Sequence, residues 1–345
     1  MNIHSLINEK KYNLFQIHFF ILAKIINILE YQQVTFAFYN VENFYAKTTS
    51  MENSFLPSNY AKWKDNRYET KVDRISHAIS RIGFKETEEL PLFVGLAEVE
   101  NEDVLKDLIE NARVKKANYD FVFYESLDER KINVCCIYQK DKIKILHSEP
   151  IRVVFKDTYG SKSYTRDILY LESEFENEKF YIFVAHLPSK IDQEVNQEKR
   201  KILLSKIRQR IDDILAKDTD AKIIVMGDFN DTPTADNIRI ELDTRAKVEE
   251  VKNTELYNPM VGLMSYQRGS LVHKKQWMLF DQIMFTKGFL TEKSKFKLTK
   301  IDIFDSAFLT QNIDKMGAFP NRTFIGSKYL GGYSDHFPVY AIIKY

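Results

Sequence analysis

Short apolar segments with the pattern of β-strands dominate this chain, and helical patterns separate only a few of them. The strand-like segments occupy residues 34–40, 92–98, 119–124, 132–138, 142–146, 167–173, 179–186, 222–226, 278–285 and 337–345. Apolar residues at helical spacing occur at 72–82, 104–109 and 203–215. Because several strands follow one another directly, a purely alternating parallel design is excluded, and two packed sheets with helices outside are predicted.

The composition is that of an ordinary globular protein. Of 345 residues, 44% are apolar and 29% are charged, with only 11 glycines and 8 prolines, so disordered, collagen-like and low-complexity classes are excluded. The formal net charge of +1 gives no overall basic field for capturing nucleic acid, although a local basic groove stays open. Composition does not change after residue 33 and heptads are missing, so one monomeric domain over residues 34–345 is predicted.

The first 33 residues differ from the rest of the chain. Residues 14–29 are mostly apolar, but Lys24 and three further polar residues interrupt them. The stretch is too short and too polar for a stable membrane span, and it lacks the uninterrupted core and cleavage site of an export signal. An N-terminal extension over residues 1–33 with an amphipathic helix is therefore predicted, and a degenerate signal or a membrane-surface helix is the alternative.

The two cysteines, Cys135 and Cys136, are adjacent. Neighbours on a strand point to opposite faces of the sheet, so a bridge between them is not expected. No cysteine and histidine spacing typical of zinc binding occurs. This cysteine usage fits a reducing compartment, so a cytoplasmic location is favoured, and the apolar N-terminal segment keeps a secreted or periplasmic one open.

Several motifs with well-defined chemistry are missing. The sequence contains no GxxxxGK[ST], GxGxxG, HExxH or GxSxG, which argues against P-loop phosphate binding and against a serine nucleophile of the α/β-hydrolase type. Ser334 stands beside Asp335 and His336, but adjacent residues cannot form a catalytic triad by themselves.

Polar residues repeatedly accompany the ends of the apolar strands. They are Asn40, Glu98, His186, Asp228, Asn230, Asp281, Asp335 and His336. Each of them alone is typical of a solvated strand end or a turn. Asp281 differs, because it stands inside the largely apolar run LFDQIMF and a buried carboxylate needs a partner such as histidine. If the whole set converges, it forms an oxygen-rich cleft suited to Mg²⁺ or Mn²⁺, the hard cations that serve phosphate chemistry.

Six motifs in this set give the chain a resemblance to a known family. YNVEN, GLAEVEN, AHLPSK, MGDFND, FDQIMF and YSDHFP follow the order of the endonuclease/exonuclease/phosphatase superfamily. Its members include apurinic/apyrimidinic endonucleases, pancreatic-type deoxyribonuclease, inositol polyphosphate 5-phosphatases and bacterial sphingomyelinases. The resemblance covers residues 34–345 and implies an α+β fold. This fold is a four-layer αββα sandwich, in which two mixed β-sheets pack face to face with helices outside and the site lies at one rim.

The segments 126–134 and 164–170 also resemble an uncharacterised bacterial subgroup of the superfamily. Lys131 and Asn133 depart from the pattern of that subgroup, where glycine and aspartate are usual. The departure concerns the shape of one loop and leaves the main motifs intact.

The resemblance implies a metal-binding set and a water-activating pair. Glu98 matches the principal metal-binding glutamate, with Asn40 and Asp335 as further residues at the metal. Asp228 and Asn230 match the Asp-x-Asn pair, whose aspartate orients or deprotonates the attacking water. The implied cofactor is Mg²⁺ or Mn²⁺.

The resemblance also implies phosphate contacts. His186 and His336 match the histidines at the scissile phosphate, and His336 is also a candidate general acid. Asp281 matches its partner and favours the charged imidazole. Arg166 is a predicted phosphate contact, because an arginine fork suits phosphate.

These observations predict a divalent-metal-dependent phosphoesterase that hydrolyses a phosphodiester, with an endonuclease acting on DNA as the first choice. A phosphatase or phospholipase C-type hydrolase on a small phosphoester or lipid headgroup is the alternative. A catalytically silent phosphate-recognising module is the alternative from another class. Trp63 and Trp277 are candidates for either the cleft or the core. Candidate residues for a basic flank of a DNA groove are Lys115, Lys116, Arg130, Lys131, Lys274 and Lys275.

Overall fold

The computed structural model describes residues 32–47, 63, 66–156, 160–190, 193–313 and 317–345. The amphipathic helix predicted near the N-terminus lies outside these residues. The first strand begins at Gln33, and the boundary between extension and catalytic domain at residues 33 and 34 stays a prediction. Among the helices of the described ranges, none has the length and apolar character of a membrane span.

Strands make up most of the ordered elements. In chain order they are β1 (Gln33–Phe44), β2 (Phe93–Val99), β3 (Tyr119–Phe123), β4 (Asn133–Gln139), β5 (Ile143–Ile151), β6 (Phe155–Lys156), β7 (Lys162–Ser163), β8 (Ile168–Phe175), β9 (Glu178–His186), β10 (Lys222–Asp228), β11 (Thr244–Arg245), β12 (Leu256–Tyr257), β13 (Leu271–His273), β14 (Gln276–Met278), β15 (Asp281–Thr286), β16 (Lys297–Ile303), β17 (Thr310–Ile313), β18 (Gly317–Pro320), β19 (Phe324–Ile325), β20 (Lys328–Tyr329) and β21 (Val339–Lys344). The α-helices are α1 (Asn66–Ile79), α2 (Phe84–Thr87), α3 (Glu102–Glu110) and α4 (Gln193–Leu215). Short helical turns occur at Lys115–Ala117, Asn237–Glu241, Val248–Glu250, Pro259–Leu263, Lys287–Phe289 and Ala307–Leu309.

Two large sheets organise these strands. The first has the order β16-β21-β1-β2-β4-β3, and the second has the order β11-β12-β15-β10-β9-β8-β5. Both are mixed, because the parallel pairs β1/β2 and β9/β10 stand among antiparallel neighbours. Within the described ranges, four hairpins lie outside the two large sheets: β6-β7, β13-β14, β17-β18 and β19-β20.

The alternation of side chains along β10 shows how the layers are built. Ile224 and Met226 belong to the core that includes the first sheet, whereas Ile223 and Val225 belong to a second core with α4. Successive side chains of a strand point to opposite faces, so β10 has one face on the other sheet and one on the helix. The sheets approach closely at Gly95, where an added Cβ would lie 2.9 Å from Met226 Sδ.

The helices cover the outer faces of the sandwich. The apolar stripe of α4 is buried in the second core and consists of Leu203, Leu204, Ile207 and Ile211. In α1, Val72, Ile75 and Ile79 are buried with the first sheet. Gly83 follows with a left-handed φ of 68°, which only glycine adopts without strain. The predicted four-layer αββα sandwich is thus confirmed.

Candidate functional site

Strand register brings the predicted site residues to one rim of the sandwich. Asp228, at the end of β10, is paired with His186 at the end of β9 and with Asp281 at the start of β15. In the other sheet, Asn40 of β1 is one register position from Glu98 of the parallel strand β2. Asn40 Nδ2 donates to Asp228 Oδ2 at 3.1 Å, so the two halves of the site meet across the sandwich.

Asp228 is the centre of this cluster and is almost completely buried. Its Oδ1 accepts the backbone N–H of Asn230 at 3.0 Å, and its Oδ2 accepts from Asn40. His186 Nε2 and His336 Nε2 lie 3.5 and 3.8 Å from the same Oδ2. Burial, partly offset by the charge of His336, raises the pKa of Asp228 to about 7. Asp228 is therefore suited to exchanging a proton near neutral pH.

His336 and Asp281 form a buried pair next to Asp228. His336 Nδ1 lies 2.7 Å from Asp281 Oδ2, and Asp281 is fully buried. Burial opposes charge on the imidazole, but the carboxylate of Asp281 outweighs it and holds the pKa of His336 well above its ordinary value. Asp281 thus fixes the ring and leaves a charged Nε2–H directed toward Asp228.

His186 has the opposite electrostatic setting. Burial, reinforced by the charges of Arg166 and Arg130, holds the pKa of His186 well below its ordinary value. Its Nε2 faces Asp228 and lies 4.0 Å from Glu98 Oε1. Its Nδ1 is buried and has no hydrogen-bond partner within the described part of the chain. The ring is therefore a neutral donor or acceptor at the rim.

Glu98 stands at an irregular point of β2. Its φ is +67°, in the left-handed region that non-glycine residues rarely adopt, and the register with β1 and β4 shifts there. Glu98 Oε2 accepts the backbone N–H of Asn43 at 2.7 Å, and Oε1 lies 3.5 Å from Arg130 Nη2. Strained backbone of this kind clusters at functional sites, which supports Glu98 as a candidate site residue, and its role in metal binding stays a prediction.

Asp335 lies at the open side of the cluster, with 32% of its side chain exposed. Its Oδ2 accepts from Arg322 Nη2 at 2.9 Å. Arg322 Nε also donates to the buried Glu42 at 3.3 Å. Sequence reasoning missed Arg322 and Glu42, since the partners come from segments 280 residues apart and no spacing rule connects them.

The donor chemistry fits a hard divalent cation. The predicted metal-binding residues, Asn40, Glu98 and Asp335, offer carboxylate and amide oxygens, which Mg²⁺ and Mn²⁺ prefer. Asp228, Asp281 and His336 also have ligand atoms within 4.8 Å of one another. That second group is an unsuitable metal site, because a charged His336 hydrogen-bonded to Asp281 has no lone pair for a metal.

Arg166 is bound inside the protein. Its Nε and Nη2 donate to the backbone carbonyls of His186 and Leu187, at 3.2 and 3.0 Å, and Nη1 pairs with Asp128 at 3.1 Å. The side chain is only 7% exposed. These contacts position the end of β9, and the predicted phosphate contact of Arg166 stays a prediction that they do not favour.

Two serines, which the sequence did not single out for this purpose, connect the site residues. Ser334 Oγ donates to the carbonyl of Asn40 at 2.6 Å and accepts the N–H of His336 at 3.1 Å. Ser270 Oγ accepts the N–H of Asp281 at 3.3 Å. Ser334 therefore links β1 to His336. Its hydroxyl supports these two site residues and is not placed as a nucleophile.

A cavity of about 520 Å³ is lined by residues that follow or precede site residues in the sequence. Thr232 and Leu279, close in sequence to Asp228 and Asp281, line it together with Met264, Lys275 and Trp277. The indole of Trp277 is stacked against Phe319 and Phe337, and Tyr266 at the wall is fully exposed. Of the two tryptophans, Trp63 is in the core and donates to the Tyr45 carbonyl.

A two-sheet sandwich with a buried Asp–His pair and an oxygen-rich rim defines the class of sandwich-fold phosphoesterases. Within it, the chain belongs to the endonuclease/exonuclease/phosphatase family, whose sequence profile matches residues 35–345. Members of this family are phosphoesterase hydrolases and generally depend on a divalent metal. No curated protein matches the sequence as a relative.

Solved structures share the fold at low sequence identity. D. rerio TDP2 in complex with a single-strand DNA product is 17% identical, with a TM-score of 0.51 over 90% of this chain and 98% of that chain. The human Nocturnin catalytic domain with bound sulfate is 14% identical, with a TM-score of 0.51 over 90% and 94%. A mannosyl-6-phosphatase from Bacteroides thetaiotaomicron is 13% identical, with a TM-score of 0.52 over 90% and 99%. The likeness therefore supports the fold, and the substrate has to be argued from the site.

Proposed function

We propose that this protein is a divalent-metal-dependent phosphodiesterase that cleaves nucleic acid as an endonuclease. The observation that carries the proposal is the position of Asp228, buried between His186 and His336, with Asp281 behind His336. In-line attack of water on a phosphoester requires a base for the water and hydrogen-bond donors for the phosphoryl oxygens. Asp228 is the base, and the charged and neutral imidazoles are the donors around the same opening.

Asp228 prepares the attacking water. Its pKa of about 7 lets it accept a proton at neutral pH. The amide of Asn40 and the backbone of Asn230 hold its two oxygens, so the carboxylate loses little freedom when a substrate arrives. Such fixed geometry is a large part of the catalytic advantage of a bound reactant.

The two histidines face the phosphoryl group. The charged His336, held by Asp281, stabilises negative charge on the phosphoryl oxygens or gives a proton to the leaving oxygen. The neutral His186 donates a hydrogen bond to a second oxygen. Asn40, Glu98 and Asp335 would hold the Mg²⁺ or Mn²⁺, which when bound neutralises charge on the transferred phosphoryl group.

The choice of nucleic acid rests on the surface beside the site. The fully exposed Tyr266 gives the cavity an aromatic wall available for stacking, whereas Trp277 is already stacked against Phe319 and Phe337, and Lys275 adds a positive charge. Aromatic side chains stack on nucleobases irrespective of sequence, and lysines attract the phosphate backbone. A sugar phosphate or a lipid headgroup would not need such walls.

The test is hydrolysis with Mg²⁺ or Mn²⁺, using supercoiled plasmid beside a generic small phosphodiester. We expect nicking of the plasmid that EDTA abolishes and added Mg²⁺ restores. Hydrolysis of the small diester with intact plasmid would replace the nuclease by a hydrolase of small phosphoesters or lipid headgroups. No metal-dependent turnover on either substrate would leave a silent phosphate-recognising module.

Glu98→Gln is expected to raise the Kd for Mn²⁺ by at least about 10- to 100-fold. That range is the usual loss of metal affinity when a residue that only hydrogen-bonds to a metal ligand is removed. The substitution keeps the volume of the side chain but removes the charge that attracts the cation. Isothermal titration calorimetry measures the change directly. Glu102→Gln is the control, because Glu102 is exposed and paired with Lys106 on α3. Equal Mn²⁺ affinity in the Glu98 and Glu102 variants would remove Glu98 from the metal site.

A further inference from the structure

Two arginines are bound to the carboxylates of the predicted metal site. Arg322 Nη2 donates to Asp335 Oδ2 at 2.9 Å. On the other side, Arg130 Nη2 lies 3.5 Å from Glu98 Oε1 and donates to Asn43 Oδ1 at 2.8 Å. Neither arginine belongs to the six motifs of the superfamily resemblance, although Arg130 lies in the segment 126–134 that resembles the bacterial subgroup.

Both guanidinium groups contact carboxylates of the predicted metal site, Arg130 at Glu98 and Arg322 at Asp335. A cation held by these carboxylates would therefore lie within Coulomb range of both arginines.

The exposure of these side chains sets them apart from the other arginines near the site. Arg130 is 33% exposed and Arg322 is 39% exposed, whereas Arg166 is 7% exposed and fully engaged with the backbone. A partly exposed guanidinium can move onto a ligand at the rim, and its fork of N–H groups matches two phosphate oxygens.

A second contact orients each arginine beside the metal-site carboxylate. Arg322 Nε donates to Glu42, whose Oε2 is itself fixed by the backbone N–H of Thr323 at 2.6 Å, so releasing Asp335 to a cation would free Nη2 while Nε stays oriented. In Arg130 the same Nη2 that lies near Glu98 also donates to Asn43. This contact to Asn43 would remain when Glu98 is released to a cation.

We propose that Arg130 and Arg322 bind the substrate phosphate, and that their ion pairs with Glu98 and Asp335 couple cation binding to phosphate binding. The proposal rests on the cation site of the proposed function. A cation competes with the arginines for Glu98 and Asp335, and a phosphoryl group provides the displaced guanidinium groups with a new acceptor. Each ligand thereby favours the other, and by linkage the enhancement is reciprocal.

The experiment is a calorimetric titration with Mn²⁺ in chloride and in sulfate buffers of equal ionic strength, with sulfate as the tetrahedral dianion. For the unmodified protein we expect sulfate to tighten Mn²⁺ binding by about 5-fold or more, the lower range of typical couplings between two sites. In Arg322→Gln and in the Arg130→Gln/Arg322→Gln double variant, Mn²⁺ in chloride should bind as tightly or more tightly, while the sulfate enhancement falls towards one.

A matched control and a conservative variant separate this coupling from a structural role. Arg113→Gln removes an arginine of similar exposure that is paired with Asp73 away from the site, and it should keep the full enhancement. Arg322→Lys keeps the charge and should restore part of it. Thermal unfolding of each variant establishes that the fold is intact.

The outcomes distinguish this proposal from the proposed function. Absence of Mn²⁺ binding to the unmodified protein would overturn the cation site and with it the proposed function. Mn²⁺ binding without an effect of sulfate, or an enhancement that survives in the double variant, would overturn the coupling alone. Weaker Mn²⁺ binding to the folded double variant in chloride would also contradict the competition.

Discussion

Asp228→Asn is expected to lower kcat by about 10³-fold, in the middle of the range for loss of a positioned general base. The amide has nearly the same shape as the carboxylate but cannot take the proton of the attacking water. It also removes the charge between His186 and His336, at 3.5 and 3.8 Å. Steady-state hydrolysis of the substrate identified in the plasmid and diester assays measures the loss.

The control for this variant lies in the same part of the chain. Asp236 is exposed and pairs only with Arg239 among the contacts described around it, so Asp236→Asn should leave kcat unchanged. Circular dichroism establishes that both variants are folded. Undiminished hydrolysis by a folded Asp228→Asn protein would remove Asp228 from the mechanism.

Gly227→Ala is expected to lower the free energy of unfolding by about 3 kcal/mol, at the upper end of the usual cost of overpacking. An added Cβ at Gly227 would lie 2.2 Å from the carbonyl oxygen of Ala185 on the neighbouring strand β9. That atom belongs to the backbone and cannot rotate away, so the strands must separate beside Asp228. Denaturant unfolding followed by circular dichroism measures the loss.

Gly262→Ala is the matched substitution. An added Cβ there meets no heavy atom within 4 Å among the described residues, so the unfolding midpoint should hardly change. A Gly227→Ala protein as stable as the Gly262→Ala protein would mean that β9 and β10 can separate at little cost.

The long elements could be predicted because burial imposes a period on the sequence. In β10, apolar residues on both faces produce a continuous run, and in α4 the spacing of Leu204, Ile207 and Ile211 matches one helical face. The short strands could not be predicted in this way. Thr244–Arg245 and Leu256–Tyr257 are only two residues long, so they contain no period, and their pairing depends on the sheet edge beside them.

The residues of the candidate site were easier to predict than the hydrogen bonds that connect them. Asp281 could be singled out because a carboxylate inside a largely apolar strand needs a partner, and the structure places His336 Nδ1 2.7 Å from its Oδ2. Arg166 shows the limit of such reasoning. An arginine near the motifs can bind phosphate or backbone carbonyls equally well by its chemistry. The packing that places Arg166 against His186 and Leu187 favours the backbone contacts, and the phosphate contact stays a prediction.

The basic residues show the same limit. The sequence marked Arg130, Lys115 and Lys275 alike as candidates for a DNA-binding flank. Arg130 lies beside Glu98, Lys275 lines the cavity, and Lys115 pairs with Glu110 on an exposed surface. Long flexible side chains carry no periodic signal that would separate these three situations.

The order of the segments along the chain limits when a newly made molecule can complete its candidate site. In the first sheet, β1 lies between β2 and β21, and His336 comes just before β21. A ribosome-bound chain that has released only its first 300 residues contains Asn40 and Asp228 but lacks β21 and the imidazole that pairs with Asp281. We therefore expect such a chain to be inactive until residues 336–344 have docked beside β1.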